Sequence, residues 1–391
     1  MKKHAIVIGA SNESIHAIEL AKKRGLKVLA FDGNPNAPGF NVADEYYALD
    51  INNVDSIYKI IDDHGIYRED MFVLPVPIGR ALVCTGLVNE HYGLIGPNKE
   101  LTEICTDKWL FHHRLNKCGL RNNECVLVKK GEVCNLTPKA PLIVKPRFGS
   151  GSREVMYIAS EKEWNSVVKR MPFEEDFVVE DAIPGQEYGV DGMVLNGEFY
   201  SILIRKKINT PYPIRQCIGY MNLRNDNQSI EIEKCINEYL KLVIGEIGME
   251  NGVFHADVIL NGDKPFVIEL SPRPSGHRLH DLFTPLVTGI DMVSVYIDYV
   301  NGEVYPINKS VLDSVYLIRF FDMESEIKRI PNQEYIVNKY NVLKYNCNLK
   351  VGDKRHIIDG HSLINRGFFI LRGNDEDEVC IRANELLAEF T

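Results

Sequence analysis

Short apolar runs alternate with stretches of helical spacing along the first hundred residues of the chain. The runs typical of buried strands occupy residues 5–8, 28–31, 71–74 and 93–95. Apolar residues recur with helical periodicity in residues 14–23 and 78–90. Strands that alternate with helices are typical of βαβ units on a parallel sheet. The pattern therefore predicts an amino-terminal α/β domain over residues 1–100.

Beyond residue 100 the runs of strand type become longer and more frequent. Helices are predicted over residues 102–115 and 233–247. The predicted strands occupy residues 142–145, 155–158, 177–179, 188–194, 198–204, 252–260 and 266–270. We expect a strand-rich domain over residues 101–310, with a smaller subdomain at about 125–185. Residues 311–391 are predicted to form a carboxy-terminal α+β module that ends in a helix.

Composition narrows the class of protein further. The 391 residues include 45 Lys and Arg against 54 Asp and Glu, a net charge of −9. A general nucleic-acid binder would need a basic face, so this charge gives that class no support. The nine cysteines form no Cys-x-x-Cys pair, which is typical of reduced thiols in a cytoplasmic protein. No apolar stretch approaches the ~18 residues that cross a bilayer, so we expect no membrane-spanning segment. A homodimer is the expected assembly, because dimers are the commonest assemblies of soluble proteins.

The loop after the first predicted strand resembles half of a dinucleotide-binding fingerprint. It reads Gly9-Ala10-Ser11-Asn12, and the remaining glycines of the fingerprint are missing. Asp32 could bind the ribose of a nicotinamide cofactor, but an Asp directly before Gly33 is more typical of a turn. A nicotinamide-dependent dehydrogenase is therefore an open but disfavoured alternative.

A lysine at the end of an apolar strand marks the first candidate binding site. Lys145 ends the run Leu142-Ile143-Val144, and its charge must reach a polar site to avoid a desolvation cost. The glycine- and serine-rich loop at 149–152 follows it. Backbone N–H groups of such a loop can approach phosphate oxygens closely. An ordinary flexible hairpin is the alternative.

Two glutamates, separated by a short linker, follow the next predicted strand. Glu180 follows Phe177-Val178-Val179, and a short linker separates it from Glu187. A purine amino group and ribose hydroxyls need such acceptors, although two surface glutamates at a turn would look the same in sequence.

A strand hairpin brings two further carboxylates together. The turn Asn261-Gly262-Asp263 joins two predicted strands, and Asn-Gly is a strong hairpin signal. Asp257 lies on the first strand and Glu269 on the second. Facing carboxylates repel unless a cation bridges them, and Mg²⁺ takes one or two carboxylates together with phosphate oxygens. A salt-bridged pair is the alternative interpretation.

Taken in order, these motifs resemble those of the ATP-grasp superfamily of carboxylate–amine ligases. The resemblance extends from the amino-terminal domain to about residue 300, and the terminal module also fits. The matching segments are Thr106-Asp107-Lys108-Trp109, Val144-Lys145-Pro146, the hinge from Val179-Glu180 to Gly185-Gln186-Glu187, and Ile268-Glu269-Leu270-Ser271-Pro272-Arg273. The resemblance implies an ATP-grasp fold, α/β and α+β multidomain, with an amino-terminal Rossmann-like domain.

The resemblance also implies roles for individual residues in binding ATP. Lys108 and Lys145 match the two lysines that hold the phosphates, and Ser150, Gly151 and Ser152 match the loop that closes over them. Glu180 and the backbone of Ile183 match the adenine contacts, and Glu187 matches the ribose acid. The loop departs from the common family pattern, because Glu154 follows Arg153 where a glycine is usual.

A metal site and a substrate site are implied in the same way. Asp257, Glu269 and Ser271 match the ligands of Mg²⁺, or of Mn²⁺ in its place. Ser271 stands where the family usually has Asn, and a hydroxyl is a weaker magnesium ligand than an amide carbonyl. Arg273 and Lys145 match the catalytic cations. The candidate substrate residues are Arg273, His277, Arg278 and Arg205, with Lys206 and Arg215 as further candidates.

The function implied is ATP-dependent ligation of a small carboxylate and an amine through an acyl phosphate, with release of ADP and phosphate. The stretch Arg273 to His280 is similar to the branch that joins amino acids. Other ATP-grasp reactions, carboxylation or a glycinamide-ribonucleotide-type synthesis, stay open as alternatives. A nucleotide-binding protein without catalysis is a third alternative. The presence of both lysines, Lys108 and Lys145, and of both carboxylates, Asp257 and Glu269, disfavours it.

Overall fold

A computed structural model describes residues 2–132, 141–149, 151, 154–168, 174–212, 215–303, 307–308, 312–354 and 360–391. Its amino-terminal part is a parallel four-stranded sheet of order β3-β2-β1-β4. The strands are β1 His4–Ile8, β2 Lys27–Asp32, β3 Glu45–Ala48 and β4 Met71–Val73, and the helices are α1 Ile15–Lys23, α2 Val54–Asp63 and α3 Leu82–Tyr92. The predicted parallel α/β domain is confirmed. Residues 93–95 form no strand, because Gly93 adopts a left-handed conformation that ends α3.

The turn interpretation of Asp32 is also confirmed. Its carboxylate accepts hydrogen bonds from the backbone N–H groups of Ala10, at 2.7 Å, and of Asn34, at 2.8 Å. These bonds tie the loop after β1 to the loop after β2, so the carboxylate is committed to the local fold.

A second sheet is small and antiparallel, with the order β5-β8-β6-β7. Its elements are β5 Cys125–Val128, β6 Leu142–Pro146, β7 Met156–Ile158, α6 Glu161–Val168 and β8 Phe177–Asp181. The helices α4 Lys99–Thr106 and α5 Lys108–Lys117 precede it. The single helix predicted over 102–115 is thus two helices, because Asp107 leaves the helical conformation and caps α5 through the N–H groups of Trp109 and Leu110.

The third sheet has eight strands in the order β13-β12-β9-β10-β11-β14-β16-β15. Its strands are β9 Gln186–Leu195, β10 Glu198–Asn209, β11 Cys217–Asn222, β12 Gly252–Asn261, β13 Lys264–Ser271, β14 Val315–Phe320, β15 Lys344–Cys347 and β16 Gly367–Gly373. The helices are α7 Asn227–Ile247, α8 Thr284–Thr288, α9 Met292–Val300, α10 Gln333–Tyr340, α11 Gly360–Arg366 and α12 Glu376–Ala388. The carboxy-terminal strands therefore extend the central sheet instead of forming a sheet of their own.

The amino-terminal domain packs on the central sheet through α1 and α9. Ala17, Ile18 and Ala21 share one apolar core with Val293 and Ile297. Two ion pairs flank this core, which fixes the position of the loop after β1 relative to the central sheet. Arg24 binds Asp298 through Nε at 2.5 Å and Nη2 at 2.9 Å, and Nε2 of His16 lies 2.6 Å from Asp291.

No helix within the described ranges is both long enough and apolar enough to span a bilayer. The eight cysteines that lie in those ranges are free thiols.

We expect Asp298→Asn to lower the free energy of unfolding by about 1–3 kcal/mol, because Arg24 loses a charged, largely buried partner. Urea denaturation followed by circular dichroism measures the change. The matched control is Glu103→Gln, whose pair with Lys99 spans 3.9 Å with both side chains 46% exposed. An exposed pair of this kind contributes about 0–1 kcal/mol. Equal effects of the two substitutions would contradict a stabilising role for the Arg24–Asp298 ion pair.

The His16–Asp291 pair should make stability depend on pH. The hydrogen bond to Asp291 raises the pKa of His16 above its ordinary value of 6.5. Stabilisation from a raised histidine pKa is complete below the ordinary value and is lost as the pH rises through the folded-state value. The advantage of the wild type over His16→Asn in urea denaturation should therefore shrink between pH 6 and pH 9. An advantage that is constant with pH would refute this assignment.

Candidate active site

One cavity of about 910 Å³ opens where the three sheets and the carboxy-terminal module meet. The loop after β1 contributes Ser11, Asn12 and Glu13, and the carboxy-terminal module contributes Asn348 and Phe368. Most of the predicted site residues line it: Lys108, Lys145, Gly151, Glu180, Ile183, Glu187, Asp257, Glu269, Arg273, His277 and Arg278. The structure thus brings together predicted site residues that lie as much as 170 positions apart in the chain, from Lys108 to Arg278.

A buried carboxylate organises the end of the cavity at the small sheet. Oε1 of Glu180, on β8, lies 2.5 Å from Nζ of Lys145, on the neighbouring strand β6. Its Oε2 accepts from Arg121 at 3.0 Å and lies 2.7 Å from Nε2 of His112. Burial raises the pKa of Glu180, but Lys145, Arg121 and His112 outweigh it and hold that pKa well below the ordinary value. Burial also lowers the pKa of His112 to about 4, so this ring is neutral at pH 7.

The partners of Glu180 leave its side chain little capacity to accept a hydrogen bond from a ligand. Ile183 lies two residues after the end of β8 and lines the same cavity. The backbone N–H groups of Asp181 and Ala182 donate to the carbonyls of Glu124 and Pro141, so the backbone of Ile183 stays the predicted contact for the edge of a base.

Lys108 and the loop after β6 form the next section of the wall. Nζ of Lys108 donates to the carbonyl of Gly149 at 2.8 Å, and its backbone N–H donates to Arg147. Arg147 in turn binds Asp107 through two nitrogens. Gly151 faces the cavity with a φ of 72°, a left-handed conformation that favours glycine. Ser150 and Ser152 lie outside the described residues.

A lysine that the sequence analysis did not select, Lys207, also lines the cavity. Nζ of Lys207 is 2.8 Å from Oδ2 of Asp257 and 3.5 Å from Oε2 of Glu187. Burial lowers the pKa of Lys207, but Asp257 and Glu187 outweigh burial and raise it well above the ordinary value. Glu187 also binds Nε of Arg215 at 2.6 Å. This lysine is therefore a fixed positive charge between two acidic groups.

The two predicted metal carboxylates face each other across the β12–β13 hairpin. Asp257 pairs with Glu269 in the strand register, at a β-bulge. Oδ1 of Asp257 is buried without a hydrogen-bond partner, although Nε2 of His255 lies 3.4 Å from it. Within the described ranges, no hydrogen bond or ion pair engages the half-buried carboxylate of Glu269. Free carboxylate oxygens that face one cavity are the donor set that fits Mg²⁺ or Mn²⁺.

Ser271 and Arg205 differ from their predicted positions. Ser271 pairs with His255 in the strand register and does not line the cavity. Arg205 is completely buried, and its Nη1 and Nη2 bind Asp191 at 2.5 and 2.8 Å. We therefore reassign Arg205 from substrate binding to the support of the central sheet. Lys206 points to the other face of β10, where it binds Glu376.

The remaining substrate candidates lie on the loop after β13. Nη1 of Arg273 donates to the carbonyl of Pro274 at 2.8 Å, and Nη1 of Arg278 lies 2.8 Å from Asp281. His277 and Arg278 both adopt left-handed conformations, with φ of 59° and 61°. Such a conformation costs a non-glycine residue roughly 1–2 kcal/mol. The loop is therefore held in a shape that its own sequence does not favour.

Comparisons with known proteins agree with this geometry. Residues 138–280 match the family model described as "ATP-grasp domain". The chain contains an ATP-grasp domain. A formate-dependent phosphoribosylglycinamide formyltransferase from Prochlorococcus marinus (strain MIT 9515) is 23% identical over 297 residues, 70% of each chain. A D-alanine–D-alanine ligase from Rickettsia typhi is 26% identical over 214 residues, 52% of this chain and 59% of its own.

The ATP-grasp architecture extends over the whole chain in a solved structure. An L-amino acid ligase from Bacillus licheniformis superposes with a TM-score of 0.78 at 19% identity, covering 98% of this chain and 97% of its own. The predicted ATP-grasp fold with an amino-terminal Rossmann-like domain is thereby confirmed. The roles of individual residues and the substrates stay predictions.

Three residues of this ATP-grasp site were missed in the sequence. Lys207 could have been found, because residues two apart on a strand share a face and Arg205 had already been selected. Arg121 follows α5 in a segment without any motif, and its role depends on a contact with Glu180, 59 positions away. Glu13 comes from the amino-terminal domain, and nothing in its local sequence connects it to the loop at 273–280.

Glu180→Gln should lower the free energy of unfolding by about 3 kcal/mol, because Lys145 and Arg121 stay buried without a charged partner. We also expect weaker ATP binding by isothermal titration calorimetry. Asp181→Asn is the matched control, since this neighbour on β8 is partly exposed and accepts one bond, from the N–H of Glu124. If Asp181→Asn lowers the free energy of unfolding as much as Glu180→Gln does, the charges buried around Glu180 do not specifically stabilise this end of the cavity.

Proposed function

We propose that this protein is an ATP-dependent carboxylate–amine ligase that works through an acyl phosphate. The observation that carries the proposal is the shared cavity. Asp257 and Glu269 offer free oxygens to a divalent cation there, and Lys108, Lys207 and Arg273 line the same space. This combination suits a triphosphate whose terminal group must be transferred, since phosphoryl transfer depends mainly on positioning and charge stabilisation.

Different residues of the cavity have different roles in the first step. Lys108 and Lys145 hold phosphate oxygens, and Arg273 with Lys207 balances charge at the terminal phosphoryl group. Asp257 and Glu269 would hold Mg²⁺ or Mn²⁺, which when bound neutralises phosphate oxygens. An oxygen of the substrate carboxylate then bonds to the γ-phosphorus, and the bond from that phosphorus to ADP breaks.

The second step forms the amide. The amine nitrogen attacks the acyl carbon, the bond from that carbon to the phosphate oxygen breaks, and the nitrogen loses a proton. Inorganic phosphate leaves. Water must be kept from the acyl phosphate, which it would otherwise hydrolyse.

We propose amino acids or related small carboxylates as substrates. The support comes from the whole-chain likeness to an L-amino acid ligase and from the D-alanine–D-alanine ligase relatives. Arg273, His277 and Arg278 lie at the cavity wall where a carboxylate would meet them. Ligand pockets commonly measure about 300–1,000 Å³, so a cavity of about 910 Å³ has room for more than one reactant.

Activation of formate is a second candidate. The formyltransferase relatives align over 69% to 73% of this chain, a larger part than the 52% to 53% covered by the D-alanine–D-alanine ligases. The same acyl-phosphate chemistry would serve a one-carbon acid, and only the occupant of the carboxylate site would differ.

We also propose a cytoplasmic homodimer that binds neither nucleic acid nor membrane. The support is the net charge of −9, the free cysteines and the general frequency of dimers.

The test is phosphate release from ATP with Mg²⁺, measured across pairs of amino acids and with formate or bicarbonate in separate wells. We expect ADP and phosphate only when a carboxylate and an amine are both present. Glu269→Gln should lower turnover by at least about 100-fold, because charge stabilisation is removed where the phosphoryl group moves. Its circular dichroism spectrum should be unchanged.

Asp263→Asn, in the exposed turn of the same hairpin, is the control that should retain activity. Release of AMP and pyrophosphate would exclude the acyl phosphate. Turnover with formate alone as the acid would favour the second candidate.

A further inference from the structure

The loop that carries His277 and Arg278 is supported from two sides by carboxylates of other segments. Two consecutive non-glycine residues with φ near 60° occur in no other segment of the described ranges. Unfavourable backbone conformations persist only where the surrounding contacts enforce them. The contacts of this loop therefore indicate what maintains the shape of the substrate end of the cavity.

The first support lies beneath the loop, in the central sheet. The hydroxyl of Ser275, which is completely buried, donates to Oδ2 of Asp191 at 3.0 Å. Asp191 is itself fixed by Arg205 and by the hydroxyl of Thr284, which donates to the same oxygen at 2.8 Å. Ser275 thus connects the loop to an ion pair that solvent cannot reach.

The second support comes from the amino-terminal domain. The backbone N–H of His277 donates to Oε1 of Glu13. A Cβ on Gly276 would lie 3.1 Å from both carboxylate oxygens of Glu13, closer than ordinary contact, so glycine allows the two segments to approach. The turn that carries Glu13 is closed by its neighbour Ser14, whose hydroxyl donates to the carbonyl of Gly9 at 2.7 Å.

We propose that Glu13 and Ser275 are positioning residues that hold the loop at 275–278 in its left-handed conformation. They place His277 and Arg278 at the cavity wall without belonging to the ATP-binding end. The loop so held is the specificity-determining segment for the substrate other than ATP, and the amino-terminal domain controls it through one backbone hydrogen bond. This assignment rests on the proposed ligase function.

The first experiment compares Glu13→Ala with Glu13→Gln. Glutamine keeps an oxygen that can accept the His277 N–H, whereas alanine removes it. Hydrogen exchange followed by mass spectrometry should show exchange at His277 about tenfold faster in Glu13→Ala, and unchanged in Glu13→Gln. With substrates identified, kcat/KM for the carboxylate should fall about 10- to 100-fold in Glu13→Ala, with KM for ATP changed less than about threefold.

Either of two results would overturn this role of Glu13. If Glu13→Gln loses as much kcat/KM as Glu13→Ala while exchange at His277 stays slow, the charge of Glu13 acts on the substrate directly. If exchange at His277 is unchanged in Glu13→Ala, Glu13 does not hold the loop.

The second experiment uses two hydroxyls that donate to the same oxygen of Asp191. Ser275→Ala and Thr284→Ala each remove one donor from a completely buried site. Both should lower the melting temperature, but Thr284 begins α8 and does not line the cavity. Only Ser275→Ala should speed exchange in residues 275–278 and raise KM for the carboxylate.

Identical effects of the two variants on exchange and on KM would contradict the proposal for Ser275. Hydrogen exchange needs no substrate. An enzyme inactive in every assay would therefore refute the ligase proposal while the exchange data still decide whether Glu13 and Ser275 hold the loop.

Discussion

The ion pair between Asp191 and Arg205 joins the neighbouring strands β9 and β10 of the central sheet, and neither side chain reaches solvent. Moving two charges out of water costs several kcal/mol for each ion unless geometry and hydrogen bonds compensate. Here the carboxylate receives both terminal nitrogens of Arg205 together with Thr284, Ser275 and Nδ1 of His255. Burial raises the pKa of Asp191, but Arg205 and His255 outweigh it and keep the carboxyl ionised. Each donor comes from a different segment, so satisfying one buried charge fixes the mutual positions of those segments.

Charge compensation of the same kind extends into the cavity, but there it is incomplete. Lys207 lies between Asp257 and Glu187, and Arg215 also binds Glu187, so these acidic groups are largely neutralised before any ligand arrives. Glu269 has no hydrogen bond or ion pair in the described part of the chain, and Oδ1 of Asp257 has only Nε2 of His255, at 3.4 Å. The least compensated negative charge thus lies at these two carboxylates, which supports the proposed site for a divalent cation. If Glu187 is the ribose acid, as proposed, a ribose must compete with Arg215 for its carboxylate.

The sequence was most informative where chemistry and strand ends coincide. Lys145, Glu180 and Glu269 each lie at or near the end of an apolar run, and the hairpin signalled by Asn261-Gly262 brings Asp257 opposite Glu269. Arg205 was misassigned because strand position cannot tell a cationic group that reaches a cavity from one that neutralises a buried carboxylate. That distinction depends on Asp191, on the neighbouring strand. Arg121 and Glu13 were missed for the related reason that their partners are distant in the chain, so no local pattern records the contact.

The two ends of the cavity differ in how well they tolerate substitutions. The end proposed to bind the nucleotide is built on β6 and β8, where Glu180, Lys145 and Arg121 are mutually buried, so a substitution at one leaves the charge of the others unpaired. The other end depends on a loop whose shape is set by single hydrogen bonds from Ser275 and to Glu13. A single bond of this kind contributes about 1 kcal/mol, which is a small part of the stability of a domain. Substitutions in the loop can therefore alter which acid or amine is accepted while the fold and the ATP-binding end stay intact.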